Sequence, residues 1–199
     1  MREHALLSPH RRPQGKPALH DGSITTDRPN EMWGTDGVRV ETVDDGWVWV
    51  FSAVDHCDAC CVGIHAVKTG NRFAALQPIA QGLLSEFGGT GADAGRGLTL
   101  RMDHGSQYTA DDFLNQVRFW GVTPSFAFVA EPQTNGVAER FNRTLKEQAI
   151  HGRVFSNLEQ VRAAVVEFKD RYNRHSRLEK LGFISPYEAR QAATMKEAA

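Results

Sequence analysis

Three carboxylates stand where a purely structural role is awkward. Asp36 falls inside "EMWGTDGVRVETV", a segment whose alternation reads as a strand, where aspartate is disfavoured. Asp103 ends the short apolar run "LTLRMD" and opens the turn "DHGSQY", and the C-terminal ends of strands are common places for ligand sites. Glu139 lies on a helix that follows the loop "EPQTN". Taken singly, each has a plain account: Asp36 could satisfy a turn, Asp103 could cap the next segment, and Glu139 could be a solvated helix residue. Together they suggest chemistry. Were the strands carrying Asp36 and Asp103 neighbours, their side chains would project close together near the sheet centre. Glu139 would then close the site from a helix packed across the edge. Converging carboxylates raise one another's pKa unless a cation is present. Hard oxygen donors of this kind suit Mg2+ or Mn2+. Two such ions, roughly 3.5–4 Å apart, can clamp a phosphodiester between an attacking and a leaving oxygen.

The elements that must hold these residues follow from patterning. Val38 and Val40 alternate with Arg39 and Glu41, "DDG" at 44–46 signals a hairpin, and "WVWVFSAVDH" is the apolar run of a central strand. "CCVGIHAV" predicts a third strand, so the first three form an antiparallel meander. Residues 71–87 carry Phe73, Leu76, Ile79, Leu83 and Phe87 at helical spacing. After the fourth strand, "TADDFLNQVRFWG" predicts a helix with Thr109 as N-cap, Asp112 at the capping-box position and Gly121 as stop. "TPSFAFV" is a fifth strand, residues 136–150 a helix, and Ser156 to Glu159 a capping box opening a longer helix. Ser185-Pro186 starts the last one. Up to that last helix, the order β-β-β-α-β-α-β-α-α implies a five-stranded mixed sheet with helices on its faces.

Composition bounds the rest. The chain of 199 residues, 41% hydrophobic and 24% charged, suits one soluble domain with tails. No run of eighteen apolar residues exists, and the N-terminus lacks a hydrophobic signal region. Cys57, Cys60 and Cys61 are clustered and odd in number, which fits a reducing compartment. Flanked by His56 and His65 they could suggest zinc, but without a second ligand pair they read as small buried thiols. Residues 1–31 are basic and proline-rich, a linker or remnant of a preceding region. The net charge of −1 hides an asymmetry: residues 31–130 carry six Lys/Arg against twelve Asp/Glu, and residues 131–190 eleven against eight. An acidic centre is either a solvated surface or a place where metal ions reverse the local field.

"WGTD" at 33–36, "DHGSQY" at 103–108 and "NGVAERFNRTLK" at 135–146 closely resemble the catalytic core of retroviral-integrase-like transposases of bacterial insertion sequences. Thirty-five residues separate Asp103 from Glu139, the interval that names the D,D-35-E group, and "YNRHSRLEKLGFISPYEA" at 172–189 is similar to the family's C-terminal signature. The likeness runs from about residue 29 to 190. It implies a ribonuclease-H-like fold, with a core at 32–175 and a C-terminal helical tail at 176–199. Asp36, Asp103 and Glu139 would be the catalytic metal ligands for two Mg2+ or Mn2+ ions. The resemblance further implies DNA strand cleavage by water, then attack of the freed 3′-OH on another phosphodiester, with no covalent enzyme intermediate. The partners would be transposon-end and target DNA and further copies of the chain, in the bacterial cytoplasm and on the nucleoid when bound to DNA. Gly37, after the first aspartate, departs from the larger residue expected there.

On a helix Arg143 and Lys146 share a face with Glu139, opposite a buried stripe of Val137, Phe141 and Leu145. In the light of the resemblance these cations would take phosphates, positioning DNA without reading its sequence. The alternative for them is an ordinary solvated face. Gln133, Thr134 and Asn135 are candidate DNA contacts, though polar turn residues are equally expected there. Gln107 and Ser106 are candidates to touch substrate, and His104 reads as structural. His175 and Arg177 could meet phosphate or cap a helix end. Two other functions share parts of this pattern: a truncated, noncatalytic DNA-binding or assembly remnant that modulates an intact enzyme, and a ribonuclease H.

Overall fold

The computed structural model describes residues 26–127 and 136–197. Strands β1 (Met32–Thr42), β2 (Gly46–Asp55) and β3 (Cys61–Val67) form the expected antiparallel meander. Helix α1 (Arg72–Phe87) crosses to β4 (Thr99–Met102), which pairs parallel with β1. Two short helices, α2 (Ser106–Thr109) and α3 (Asp111–Phe119), lead to β5 (Thr123–Phe126), parallel to β4. The spatial order is β3-β2-β1-β4-β5, so the strand bearing Asp36 is the central one. Helices α4 (Gly136–Leu145), α5 (Leu158–His175) and α6 (Pro186–Glu197) complete the chain. Among the described residues no helix is long and apolar enough to cross a membrane.

Each face of the sheet buries its own core. Under α1 and α3 lie Trp33, Phe51, Ile79, Leu83, Leu100, Met102 and Phe113. Under α4 and α5 lie Val38, Val40, Val48, Val50, Phe141, Leu145, Phe168 and Tyr172. Strand alternation sorts β1 between them: Trp33 points to the first core, and Val38 and Val40 to the second. Even-numbered β1 residues therefore face α4, and Asp36 is among them. A fully buried side chain of this kind contributes about 1.5–3 kcal/mol, so each helix is seated by several such terms. Gly37 finds its reason here: a Cβ at this position would lie 2.7 Å from the Phe51 ring, which stacks on Trp49 with centroids 5.5 Å apart.

Helix starts differ from expectation in two places. Thr109 does not cap α3; Ala110 holds that position and no side chain caps it. "SQYT" folds into α2 instead, where the Thr109 hydroxyl donates to the Gly105 carbonyl, and Asp112 is paired with Arg72 at 2.7 Å. Gly121 does stop α3, with φ of +75°, a conformation glycine adopts without penalty. At α5 the cap is Asn157 rather than Ser156. Its side chain accepts from the Gln160 N–H, and Gln160 Oε1 accepts from the Ser156 N–H at 2.7 Å, so the box is shifted by one residue. The last helix starts at Pro186 as expected, and Ser185 forms a capping box there: its hydroxyl accepts from the Glu188 N–H, and its own N–H donates to Glu188 Oε2. The expected helix at 136–150 is α4 followed by a π-helical turn over Lys146–Ile150, closed by the His151 N–H donating to the Lys146 carbonyl at 2.7 Å. The last residues of the expected fifth strand, 128 and 129, lie outside the described residues.

Candidate active site

The parallel ladder between β1 and β4 sets the geometry. Gly34 is registered with Arg101 at the end of the ladder; Asp36 stands two residues further along β1, and Asp103 directly follows the last residue of β4. The same direction of travel carries both carboxylates past the end of the ladder, close enough for the Asp103 charge to act on Asp36. Asp36 is half-buried, and Asp103 and Glu139 are exposed.

Asp36 is held from two sides. Its Oδ1 accepts from the Gly37 N–H at 2.7 Å, and its Oδ2 accepts from the Asn142 side-chain amide at 2.9 Å. The carbonyl oxygen of that amide accepts in turn from the Ser52 hydroxyl at 3.2 Å. Asn142 lies three residues after Glu139 on α4, so this bridge ties the helix carrying Glu139 to the strand carrying Asp36. Burial pushes the Asp36 carboxyl above its ordinary range; the Asn142 and Gly37 donors pull it back, the Asp103 charge pushes it up again and Lys146 lowers it. Burial also raises the Glu139 carboxyl, with the Asp36 charge acting in the same direction and Arg143 opposing. The three acids therefore share one electrostatic neighbourhood, with two cations close enough to act on it.

Asp103 turns back on its own loop, Oδ1 accepting from the Gly105 N–H at 2.8 Å. A Cβ on Gly105 would come within 2.6 Å of Gln107 Nε2 and 2.9 Å of Asp103 Oδ1, so Gln107 closes over the same turn as Asp103. His104 stacks on Phe126 with centroids 5.2 Å apart, the structural role its position suggests. Ser106 opens α2 and is exposed. On α4 the buried stripe is Ala138, Phe141, Asn142 and Leu145, with Val137 only partly covered. Arg143 and Lys146 are exposed. His175 ends α5, and Arg177 is paired with Glu188 at the start of α6. Gln133, Thr134 and Asn135 lie outside the described residues.

Among the described residues no group of three His, Cys, Asp or Glu side chains is arranged to hold a metal ion. The donor chemistry still suits a hard divalent cation. Each Asp36 oxygen takes one N–H and retains acceptor capacity, and a neighbouring carboxylate repels it in a way a cation would offset. The cysteine cluster is chemically quiet: burial pushes Cys57 up to about 11 and Cys60 and Cys61 up to about 12, so all three are neutral thiols at pH 7.

Sequence reasoning missed Asn142 and Ser52. The signal for Asn142 was a polar residue at an inward position of an amphipathic helix; for Ser52, a hydroxyl in an otherwise apolar central strand. It also missed Arg190 of α6. That guanidinium donates to Asp58 at 2.7 Å and Asp55 at 3.1 Å, and pairs with Glu86 at 2.6 Å, pinning the C-terminal helix to the far end of β2 and to α1.

Comparison with known proteins agrees with this architecture. The chain is 27% identical over 169 residues to the transposase for insertion sequence element IS629 of Shigella sonnei, covering 85% of this chain and 54% of that protein. It is 27% identical over 192 residues to transposase InsD for insertion element IS2D of Escherichia coli strain K12, covering 94% of this chain and 62% of that one. The chain thus spans little more than half the length of these relatives. The HTLV-2 integrase catalytic core domain, solved in complex with magnesium, superposes with a TM-score of 0.61 at 14% identity, over 82% of this chain and 98% of that one. Its likeness shows a shared ribonuclease-H-like fold. The integrase core domain family matches residues 26–132 and again residues 120–186, and the chain belongs to that family.

Proposed function

We propose that this chain is the catalytic core of an insertion-sequence transposase, a metal-dependent polynucleotidyl transferase that cuts and joins DNA strands. The observation that supports this is the parallel pairing of β1 with β4 just before Asp36 and Asp103, together with the Asn142 bridge from the Glu139 helix to Asp36 and the effect of the Asp103 charge on Asp36. In this reading Asp36, Asp103 and Glu139 would hold Mg2+ or Mn2+. Such ions, when bound, supply positive charge at the attacking and leaving oxygens of an in-line displacement. Gly37 and Asn142 donate to both oxygens of Asp36, which orients the carboxyl and favours its charged form against the effect of burial. Arg143 and Lys146, exposed beside Glu139, take neighbouring phosphates and hold the scissile strand in place. Gln107, beside Asp103, and the loop residues Gln133 and Asn135 are further DNA contacts. Joining two transposon ends calls for at least two copies of the chain.

The test is a strand-transfer assay with Mg2+ or Mn2+, using pre-cut transposon ends and a target duplex. Joining by the wild-type chain, reduced at least a thousandfold by Glu139→Gln (about 4 kcal/mol of transition-state stabilisation) with no change in folding, is the expected result. Metal-dependent joining that survives the substitution would overturn the assignment of Glu139. Hydrolysis of RNA–DNA hybrids without any joining of DNA would overturn the transposase reading.

A further inference from the structure

Ser52 is the cross-strand partner of Asp36 in the β1–β2 ladder and is fully buried. We propose that Ser52 is a positioning residue for the Asp36 carboxylate, acting through the side-chain amide of Asn142. Its consequence for catalysis rests on the function proposed above; its geometry does not.

The direction of each hydrogen bond in the chain is forced by chemistry. Asn142 faces Asp36 Oδ2 at 2.9 Å, and only the amide NH2 can do so, because a carbonyl oxygen there would oppose a carboxylate with no proton between them. The amide carbonyl is then committed to Ser52 Oγ at 3.2 Å, and that contact needs a donor, which the hydroxyl supplies. Ser52 cannot drift away. Its own carbonyl accepts from the Thr35 hydroxyl at 2.9 Å, and its backbone sits between β1 and β3, paired with Asp36 on one side and Ile64 on the other. Asn142 is 4% exposed, so water does not replace a missing partner. The carboxylate therefore fixes which way the amide faces, the hydroxyl holds the carbonyl end of that amide in place, and the amide anchors both Asp36 and the helix that carries Glu139. An alanine at position 52 preserves the packing but leaves the amide carbonyl without a donor. The amide still donates to Asp36 but is no longer held at its carbonyl end, so the carboxylate it carries is less sharply positioned.

The test compares Ser52→Ala, Asn142→Ala and the double variant. In the metal-free protein, the Asn142 side-chain amide resonances of the wild type are expected to be distinct and protected, and in Ser52→Ala to broaden or move toward those of a free amide. In the strand-transfer assay kcat is expected to fall about tenfold in each single variant with the KM for DNA unchanged, since the loss is one of orientation rather than of DNA contact. The double variant should be no slower than Asn142→Ala alone, because both substitutions break the same relay. Unchanged Asn142 resonances in Ser52→Ala, or effects that multiply in the double variant, would overturn the proposal. Because the resonances are read without metal or DNA, they decide it even where strand transfer fails in every variant, an outcome that would count against the functional reading alone.

Discussion

Replacing Arg190 by methionine would leave three carboxylates facing one another behind the sheet. The guanidinium is 12% exposed, and Asp55, Asp58 and Glu86 are 0%, 2% and 21% exposed, so solvent screens little of the interaction. Asp55 also accepts from the Asn30 N–H at 2.7 Å and the Cys57 N–H at 2.8 Å, which fixes its charge in place. Removing one member of such a buried set costs about 3–5 kcal/mol, because the remaining charges stay desolvated and unpaired. Protonation limits the cost. Burial and the charge of Asp58 raise the Asp55 carboxyl to about 6 even with Arg190 beside it, and without the guanidinium it would rise further. A carboxyl whose folded pKa lies above its unfolded value holds its proton longer in the native state, so stability falls as pH rises from 3.8 to about 6 and levels off above that. In Arg190→Met the falling window extends to higher pH. The gap between wild type and variant should be small near pH 5 and reach about 3 kcal/mol or more by pH 7.5, a Tm loss of about 10 °C for a chain of this size. Urea unfolding followed by circular dichroism at both pH values measures it. A gap under about 1 kcal/mol at pH 7.5, or one equal at the two pH values, would refute this account of how the C-terminal helix is held.

Two further outcomes follow from the geometry. Arg143→Ala and Lys146→Ala should each weaken DNA binding at every sequence and reduce the slope of log affinity against log salt by about 1, as measured by fluorescence anisotropy across a salt series; an unchanged slope would show that these cations face solvent only. Gly37→Val forces a side chain against Phe51, where even a Cβ would sit at 2.7 Å, and should cost about 1–3 kcal/mol of unfolding free energy in denaturant titration; full stability would mean that the Trp49–Phe51 stack yields easily.

Much of the architecture was readable from the chain because it depends on local causes. Alternation between Val38, Arg39 and Val40 makes a two-faced strand wherever it lies, and "DDG" turns the chain whatever packs above it. Errors gathered where two local solutions compete. Thr109 and Asp112 are plausible caps, yet Gly105 nucleates α2 just upstream and Arg72, on another helix, claims Asp112. Val137 and Ala138 differ by one position, and only contact with the sheet decided which of them α4 buries.

The types and order of the strands and helices, the interval between Asp103 and Glu139, and the family signature were all set by the one-dimensional pattern, since propensity and periodicity act over a few residues. The folded chain alone decided that β4 pairs with β1 next to the segments that carry Asp36 and Asp103. It alone turned Asn142 inward to bridge Asp36 and Ser52, and brought Arg190 to carboxylates more than a hundred positions earlier. Those partnerships arise from desolvation: once packing removes water from a polar group, its nearest neighbour in space must satisfy it, and distance along the chain carries no information about which residue that will be.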